Sequence, residues 1–498
     1  MKNEVTTDAI IGVVGAGAMG AGIAQVLVQN GLTARLFDIG DGAASAARDG
    51  IFRRLTRLVD KGKLTAEAAQ QAAGRLEVAN ALEDLAPASV VIEAIVEKLE
   101  AKVAVFAALE GIVSDECILA TNTSSLPIGA IAAGLTRKDR VAGMHFFNPV
   151  PLMRLVEVIA GPDTSSDVIA RLIALAETMG RTPIEVTDTP GFLVNFGGRA
   201  YPTEALAILQ ERVATPAQVD AVMRDCFGFR MGPFELMDLT GIDVNYPVSA
   251  FVHEAMFGDP RLRSTTRHKY MLDTKQLGRK TGRGFFDYAE GAGRPSPDAT
   301  SDAAPATRVF VPEGHGEVRE LVRACNAVVL EADDGAAPIV VGLLGEDCAA
   351  FAARTGLDHK RLVAIDPLGD LSKRVTVMTP PDVDEAIRGG VVSLLAASRA
   401  VTAIADSPGF IGQRIALMVC NLGCEMAQMG LASPDGIDTA MRLGLNYPVG
   451  PLAMTDDIGV ERAYEILQVI QRLTGDDRYR PSGWLRRRAQ LGLSALAQ

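Results

Sequence analysis

The stretch IGVVGAGAMGAGIAQ, residues 11–25, decides the fold of the N-terminal part of this chain. Residues 9–14 are apolar and partly β-branched, as in a buried parallel strand, and residues 18–29 are typical of a helix. Gly15, Gly17 and Gly20 lie between the two. They permit a tight turn, a close approach of the backbone to a pyrophosphate, and close packing of helix against strand. The pattern predicts a dinucleotide phosphate at the helix N-terminus.

The next strand supports this interpretation and indicates which dinucleotide binds. Residues 33–37 (TARLF) form a second predicted strand, which ends at Asp38, 18 residues after Gly20. A carboxylate at that place accepts hydrogen bonds from an adenosine ribose and repels a 2'-phosphate, so the sequence predicts NAD and not NADP. The alternative is a glycine-rich turn that binds no nucleotide.

The composition argues against several classes of protein. With 498 residues the chain has room for about three domains. Its net charge of −12 argues against a nucleic-acid or anionic-membrane partner, and no apolar run is long enough to predict a membrane span. The N-terminus, MKNEVTTDAI, lacks the pattern of a signal peptide. The six cysteines form no C-x-x-C pair, so we expect reduced thiols in a cytoplasmic protein without a metal.

Residues 9–188 alternate strands and helices, which predicts a doubly wound, Rossmann-type α/β domain. Five further strands are predicted at residues 90–92, 118–121, 140–144, 155–159 and 184–187. A helical arm, residues 41–85, interrupts the alternation and carries a basic cluster that includes Arg53, Arg54 and Arg57. That cluster is either the solvated face of a helical hairpin or a site for a phosphorylated part of the substrate.

The rest of the chain changes character three times. Helical patterning dominates after residue 189, residues 289–306 (AEGAGRPSPDATSDAAPA) lack large apolar side chains, and helices dominate again near the C-terminus. We therefore expect domains at 1–188, 189–288, 307–405 and 406–498, with a linker at 289–306.

The last third of the chain repeats an earlier part of it. DTPGFLVN (188–195) matches DSPGFIGQ (406–413), and MGPFELMDLTG (231–241) matches VGPLAMTDDIG (449–459), both at an offset of 218 residues. An equal offset across turn residues indicates an internal duplication. The second copy is degenerate, because VVGLLGED (340–347) stands in place of the glycine turn and too few residues remain for a full dinucleotide-binding domain.

His145 and Glu157 are the main candidates for chemistry. His145 follows a predicted strand, and Glu157 lies in the next strand, 12 residues later. A carboxylate behind an imidazole fixes its tautomer and raises its basicity, although spacing alone favours a core histidine. At the offset of 218, Val363 and Val375 replace the pair and Gln413 replaces Asn195, so we expect no second active site.

Seven motifs together carry a resemblance to a known family. In chain order they are GAGAMGAGIA, VIEAIVEKLEAK (91–102), NTSSLPI (122–128), HFFNPVPLMRLVEV, DTPGFLVN, RMGPFELMD (230–238) and RKTGRGFFDY (279–288). Residues 9–288 resemble the 3-hydroxyacyl-CoA dehydrogenase family, and the tandem form is similar to its 3-hydroxyadipyl-CoA dehydrogenase branch, of phenylacetate degradation. The resemblance implies a Rossmann-type domain followed by the family's all-α C-terminal domain, duplicated here with a degenerate second copy. It also implies NAD-dependent oxidation of (S)-3-hydroxyacyl-CoA to 3-oxoacyl-CoA.

The resemblance further implies roles for particular residues. His145 is expected to be the general base, oriented by Glu157, while Ser124 and Asn195 hydrogen-bond the reacting oxygens. Cofactor contacts are implied at Gly15, Gly17, Ala18, Met19, Gly20, Asp38, Glu97, Lys102 and Asn122. Substrate contacts are implied at Ser124, Asn148, Asn195, Arg53, Arg54 and Arg57, the three arginines binding CoA.

Some features depart from the family or leave alternatives open. Phe196 stands where the family usually has arginine. Arg199 is a candidate for binding a distal substrate carboxylate, although a surface helix arginine is the simpler interpretation. The alternatives are a general short-chain or 3-hydroxybutyryl-CoA dehydrogenase, a hydroxy-acid dehydrogenase of the 6-phosphogluconate type, and a non-catalytic nucleotide-binding relative. We expect the two helical domains to pack together, in a monomer with an internal pseudo-dimer or in a homodimer.

Overall fold

The computed structural model describes residues 9–497. The eight residues that precede them, on which the expectation of no signal peptide mainly depends, lie outside this range. Contacts divide the chain into two compact units. The first unit extends to Phe196 and includes Met429–Leu445, and the second contains Gly197–Gln428 and the residues from Asn446 onward.

The first unit contains an eight-stranded sheet, which confirms the predicted Rossmann-type α/β fold. The strands are β1 Ile10–Val14, β2 Thr33–Phe37, β3 Leu76–Val78, β4 Val90–Glu93, β5 Ile118–Thr121, β6 Val141–Phe146, β7 Leu155–Ala160 and β8 Thr182–Thr187. Their order is β3-β2-β1-β4-β5-β6-β7-β8, and all neighbours are parallel except β6 and β7. Its first six strands have the order of a dinucleotide-binding fold.

Helices of the first unit pack on this sheet. They are α1 Ala18–Gln29, α2 Ala43–Asp60, α3 Ala66–Gly74, α4 Leu99–Glu110, α5 Ile128–Ala132, α6 Ser166–Thr178 and α7 Val194–Gly197. The buried face of α1, with Ile23 and Leu27, shares one core with Ile11 and Val13 of β1. Helices α2 and α3 form the predicted arm. The sequence did not predict β3, because three residues carry too little periodicity.

The helices after residue 197 precede and follow a second sheet in chain order. Those that precede it are α8 Ala200–Gln210, α9 Pro216–Phe227, α10 Pro233–Thr240, α11 Ile242–Ala255 and α12 Thr266–Asp273. Those that follow it are α16 Ile411–Met429, α17 Pro434–Leu445, α18 Pro451–Ile458, α19 Val460–Thr474 and α20 Gly483–Leu491. Of these, α17 belongs to the first unit, where Thr187 N–H donates to the Leu431 carbonyl oxygen at 2.9 Å.

The second sheet has six strands and lies in the second unit. The strands are β9 Arg308–Phe310, β10 Val328–Leu330, β11 Ile339–Gly342, β12 Leu362–Ile365, β13 Arg374–Met378 and β14 Ala400–Ile404, with helices α13 Gly316–Ala324, α14 Cys348–Thr355 and α15 Glu385–Ala396. The order is β10-β9-β11-β12-β13-β14, and only β12 and β13 are antiparallel.

The register of β12 and β13 corrects one expectation about the second copy. Ala364 lies opposite Met378, and Ile365 lies opposite Val377. Val363 and Val375 are therefore not a facing pair, although the sequence offset predicted that they replace one. The constant offset does not hold through this hairpin, because strand register is set by local pairing and turn length.

The predicted linker, residues 289–306, contains no helix or strand but is not free of contacts. Asp298 accepts a hydrogen bond from Arg374 at 2.7 Å, and Ala299 N–H donates to the Val401 carbonyl oxygen at 2.7 Å. Ala306 N–H donates to the Gly390 carbonyl oxygen at 2.9 Å. The segment thus lies against the second sheet, since its polar groups find partners there despite the lack of large apolar side chains.

Arg199 is not the surface arginine that the helical pattern favoured. It precedes α8, is 7 % exposed, and donates to Ser249 Oγ at 2.9 Å. Burial lowers its pKa to about 10. Between residues 9 and 497, no helix combines the length and apolar character needed to cross a membrane.

Candidate active site

The hairpin of β6 and β7 brings His145 and Glu157 together. The two strands are antiparallel, and His145 lies directly opposite Glu157. Side chains that face each other across an antiparallel pair project from the same side of the sheet. His145 Nδ1 lies 2.6 Å from Glu157 Oε2, and the residues are 5 % and 0 % exposed. The hairpin therefore brings together two side chains that are 12 residues apart in the sequence.

Both carboxylate oxygens of Glu157 are engaged, which fixes the orientation of the pair. Oε1 accepts the N–H groups of Leu193 and Val194 at 3.1 and 2.8 Å. We assign the Nδ1 proton of His145 to the bond with Oε2, so that Nε2 is left as the proton acceptor. The Phe147 ring lies 4.5 Å from the imidazole, between ring centroids.

The same carboxylate positions the segment that carries Asn195. Val194 begins α7, and Asn195 follows it. Asn195 Nδ2 donates to the Ser124 carbonyl oxygen at 3.3 Å, and Ser124 itself is exposed. The structure therefore brings Asn195 to Ser124 and connects both to the buried pair through the backbone of residues 193 and 194.

Glu97 organises the loop that carries Ser124. Its Oε1 accepts hydrogen bonds from Thr123 Oγ1 at 2.7 Å, from Ser124 N–H at 2.8 Å and from Ser125 N–H at 3.1 Å. Burial alone would raise the pKa of Glu97, but the Thr123 hydroxyl, the Lys102 charge and the loop donors hold it below its usual range. An ionised Glu97 thus fixes the loop in place.

Lys102 and Glu93 form a buried ion pair behind this loop. Lys102 Nζ lies 2.7 Å from Glu93 Oε1 and 3.4 Å from Glu97 Oε2, and its side chain is not exposed at all. Thr121 Oγ1 donates to Glu93 Oε2 at 2.7 Å. No part of the Lys102 side chain reaches the surface in this arrangement, so the ribose contact implied for it stays a prediction. Glu93 was missed, although its position at the end of a predicted strand within VIEAIVEKLEAK was a usable signal.

The glycine turn fits the pyrophosphate of a dinucleotide. A Cβ at Gly20 would lie 1.8 Å from the Gly15 carbonyl oxygen, so close helix–strand packing requires glycine there. A Cβ at Gly17 would meet nothing within 4 Å, which leaves open space beside the first residues of α1. Ala18 is exposed and Met19 half-buried at that helix start.

Asp38 stands beside this turn at the end of β2. Its Oδ2 accepts the Ala16 N–H at 2.6 Å and its Oδ1 accepts the Gly40 N–H at 2.8 Å. A cavity of about 460 Å³ extends from Asp38 and Ile39 to Asn80. Asn122, by contrast, uses its Oδ1 to accept the Phe146 N–H at 2.8 Å and is 8 % exposed.

The basic arm and Asn148 line a second cavity of about 450 Å³. Arg54 and Arg57 of α2 lie on one side, and Asn148 on another, whereas Arg53 is exposed and not part of the lining. Arg54 donates to Gln25 Oε1 at 2.6 Å, and partial burial together with the Arg53 charge lowers its pKa. Across residues 9–497, no cluster of three or more His, Cys, Asp or Glu side chains is arranged to hold a metal.

A dinucleotide turn follows strand β1 of this mostly parallel sheet, and an oriented imidazole lies near the end of strand β6. Together they are typical of a nicotinamide-dependent dehydrogenase. Two family descriptions match the chain: 3-hydroxyacyl-CoA dehydrogenase, NAD binding domain, over residues 10–189, and 3-hydroxyacyl-CoA dehydrogenase, C-terminal domain, over residues 191–288 and 409–496. The chain belongs to the 3-hydroxyacyl-CoA dehydrogenase family. It is an NAD-dependent oxidoreductase, as the motifs implied.

Individual relatives agree with this assignment. The chain is 39% identical over 483 residues to 3-hydroxyadipyl-CoA dehydrogenase of Escherichia coli K12, covering 97% of both chains. It is 41% identical over 278 residues to a probable 3-hydroxybutyryl-CoA dehydrogenase of Bacillus subtilis, covering 56% of this chain and 96% of that one. The solved structure of 3-hydroxybutyryl-CoA dehydrogenase from Escherichia coli K12 has a TM-score of 0.86 and 37% identity, and the match covers 97% of this chain and 98% of that one.

Proposed function

We propose that the chain oxidises (S)-3-hydroxyacyl-CoA to 3-oxoacyl-CoA with His145 as the general base. The observation that carries this proposal is the 2.6 Å contact between His145 Nδ1 and Glu157, which leaves Nε2 to receive a proton. Nε2 takes the proton of the 3-hydroxyl group. Glu157 holds the imidazole in the required tautomer and stabilises its charged form. When bound, NAD accepts the hydride from substrate carbon 3.

Ser124 and Asn195 would orient the reacting oxygens of the substrate. Their mutual contact, at 3.3 Å, supports a shared site. Glu97 and its partner Lys102 would act on this site by fixing the Ser124 loop, and Glu93 would neutralise Lys102. These last three would therefore act as positioning residues, although a cofactor contact by Glu97, Lys102 or Asn122 stays a prediction.

The turn residues Gly15, Gly17, Ala18, Met19 and Gly20 would hold the pyrophosphate of NAD, and Asp38 would bind the adenosine ribose. Arg54, Arg57 and Asn148 would line the CoA-binding region, since phosphate and pyrophosphate oxygens favour arginine partners. Arg53 lies next to them in sequence and remains a candidate through its exposed guanidinium.

For the substrate, we propose a 3-hydroxyacyl-CoA with a terminal carboxylate, as in 3-hydroxyadipyl-CoA, used in the breakdown of phenylacetate. This choice is supported by the relative named 3-hydroxyadipyl-CoA dehydrogenase, since the match covers 97% of both chains. The second candidate is 3-hydroxybutyryl-CoA. It is favoured by the name of the solved structure whose match covers 97% of this chain.

A substrate series separates the two candidates. Initial rates of NADH formation are compared for 3-hydroxyadipyl-CoA, 3-hydroxyhexanoyl-CoA and 3-hydroxybutyryl-CoA. The first two have the same chain length and differ in the terminal carboxylate, so they form a matched pair. We expect the highest kcat/KM for 3-hydroxyadipyl-CoA. Equal values for the matched pair would contradict the role of the carboxylate.

We also propose that the chain is a duplication with a degenerate second copy. Helices α9 and α17 begin at Pro216 and Pro434, and α10 and α18 begin at Pro233 and Pro451, each pair at the offset of 218. The C-terminal family description matches twice. These observations support domain limits of 1–188, 189–288, 307–405 and 406–498, with 289–306 as a connecting segment.

The two helical domains would form an internal pseudo-dimer. Phe229 and Tyr447, which occupy equivalent positions, contact each other with ring centroids 5.2 Å apart, as residues near a two-fold axis do. Arg261 pairs with Glu425 at 2.7 Å, in a contact between the two copies. We further propose a cytoplasmic location, which the six free cysteines support.

A further inference from the structure

The contact between the two helical domains is asymmetric in charge. We propose that this asymmetry makes each domain fit the other and not a second copy of itself. The proposal rests on the duplication proposed above but goes beyond the reaction. In a dimer of identical domains, a two-fold axis repeats every interface contact twice. In this chain the buried pair of Arg414 and Glu204 lies on one side of the pseudo-axis, and the counterparts of these two residues are apolar.

Arg414 of α16 is the centre of the ionic network. Its Nε donates to Glu204 Oε1 at 2.7 Å, and its Nη1 and Nη2 donate to Glu211 at 2.6 and 3.0 Å. Tyr479 Oη donates to the same Glu204 oxygen at 2.8 Å. Arg414 and Glu204 are 2 % and 0 % exposed, so this pair is almost fully removed from water, whereas Glu211 is exposed.

The counterparts of these four residues carry no charge. At the offset of 218, Phe196 corresponds to Arg414, Leu422 to Glu204 and Met429 to Glu211. Near Tyr479 the offset becomes 217, because Gly258 matches Gly475, and Leu262 is then the counterpart of the tyrosine. Phe196, Leu422 and Leu262 are each at most 2 % exposed. Arg414, Glu204, Glu211 and Tyr479 therefore have apolar counterparts, whereas Arg478, whose Nη1 lies 3.6 Å from Glu204 Oε2, corresponds to another arginine, Arg261, at the offset of 217.

This distribution decides which domains can pair. Two first copies would bury Glu204 twice, with Phe196 in the place of the guanidinium. Two second copies would bury Arg414 twice, with Leu422 in the place of the carboxylate. A buried ion that loses its partner is strongly destabilising, whereas apolar residues at both positions are tolerated. Only the mixed pair joins Arg414 to Glu204. A pair of first copies would offer Glu204 only Arg261, the counterpart of Arg478, so the surface of α8 around Glu204 fits the second helical domain better than a first copy.

A cleavable full-length chain tests the pairing. A protease site is inserted between Ala292 and Gly293, which are both exposed, and the folded protein is cut. The halves are separated in urea and returned to buffer, and the complexes are weighed by native mass spectrometry. We expect only one first half bound to one second half. Homodimers of either half would overturn the proposal.

A symmetrised variant distinguishes pairing specificity from mere stability. The triple change Glu204→Leu, Glu211→Met and Arg414→Phe gives both copies the same apolar side chains at these three positions. After cleavage we expect homodimers of the halves beside the mixed pair, and strict one-to-one pairing would contradict the proposal. Arg388→Leu, which removes the exposed pair with Glu385, is the matched control and should leave pairing unchanged.

A thermal measurement on uncut chains gives a second test that does not depend on refolding. Arg414→Leu leaves Glu204 buried without its guanidinium, so it should lower the Tm. Adding Glu204→Leu removes the stranded charge and should recover most of the loss. A double variant no more stable than Arg414→Leu would overturn the proposal. NADH formation by the uncut wild-type chain is measured in parallel, so that failure of the reaction and failure of the pairing are told apart.

Discussion

At the scale of single residues, the orientation of His145 and Glu157 is fixed by more hydrogen bonds than the one between them. Glu157 accepts hydrogen bonds on both oxygens, so it can neither rotate nor turn away from the imidazole. A fixed carboxylate favours one tautomer and stabilises the imidazolium that forms during proton transfer. The backbone N–H groups of Leu193 and Val194 hold Glu157 in place, and Glu157 in turn leaves Nε2 of His145 as the reacting nitrogen.

His145→Ala removes the proton acceptor while leaving the dinucleotide turn intact. We expect turnover to fall by on the order of 10²–10⁴, the usual effect of losing a general base. The Kd for NADH, measured by fluorescence titration, should stay within about twofold of the wild-type value. Near-normal turnover in this variant would remove His145 from the mechanism.

Asp38 should decide the choice between NAD and NADP. Its charge repels a 2'-phosphate, and the neighbouring Ile39 and Gly40 supply no cation to neutralise one. Asp38→Asn keeps an oxygen for one of the two bonds to the backbone of residues 16 and 40 and removes the charge. We therefore expect the ratio of kcat/KM for NADH over NADPH to fall. Asp49→Asn, on the exposed face of α2, is the control and should not alter the ratio.

At the scale of elements, the Ser124 loop depends on a hydroxyl that the sequence did not single out. Thr123 Oγ1 donates to Glu97 at 2.7 Å and accepts the Leu126 N–H at 2.9 Å, and Thr123 is fully buried. Loss of that hydroxyl removes both bonds and should let Ser124 move away from its position.

Thr123→Val should therefore lower kcat by roughly tenfold or more, since small displacements of a positioning group are costly. Thr123→Ser keeps the hydroxyl and should retain most of the activity. Both variants are compared by kcat and by Tm. If Thr123→Val retained wild-type kcat, the loop would not depend on this hydroxyl.

The second sheet contains a buried carboxyl group that should make stability depend on pH. Asp366 is buried, and burial raises its pKa to about 7 in spite of hydrogen bonds from Gln413 and Leu368. The folded state thus holds a proton that the unfolded state releases near pH 4. Stability from this group is greatest in acid and declines as pH rises from about 4 to about 7.

Asp366→Asn removes this titration and keeps the oxygen that accepts both hydrogen bonds. The difference in Tm, variant minus wild type, should rise between about pH 4 and pH 7 and then stay level. Thermal unfolding at a series of pH values measures it. A difference that stays constant across this range would show that Asp366 ionises in the folded state as it does in water.

At the scale of the whole molecule, the sequence predicted best those features that depend on neighbouring residues. Helix α1 and strands β2 and β5 have the predicted bounds, because a glycine turn and apolar runs define them locally. The contact of His145 with Glu157 could be proposed but not measured, since it depends on the register of a hairpin. The burial of Lys102 and Arg199 could not be predicted from the sequence, because it depends on residues that are distant in sequence.

In the proposed reaction, a proton moves from the 3-hydroxyl of an acyl-CoA to His145 during NAD reduction. The most direct measurement is the rate of NADH formation from (S)-3-hydroxyacyl-CoA and NAD, for wild type and His145→Ala under the same conditions. We expect rapid NADH formation by the wild type, dependent on the CoA thioester, and a rate lower by on the order of 10²–10⁴ in the variant. Absence of NADH formation by the wild type, or equal rates in the two proteins, would contradict it.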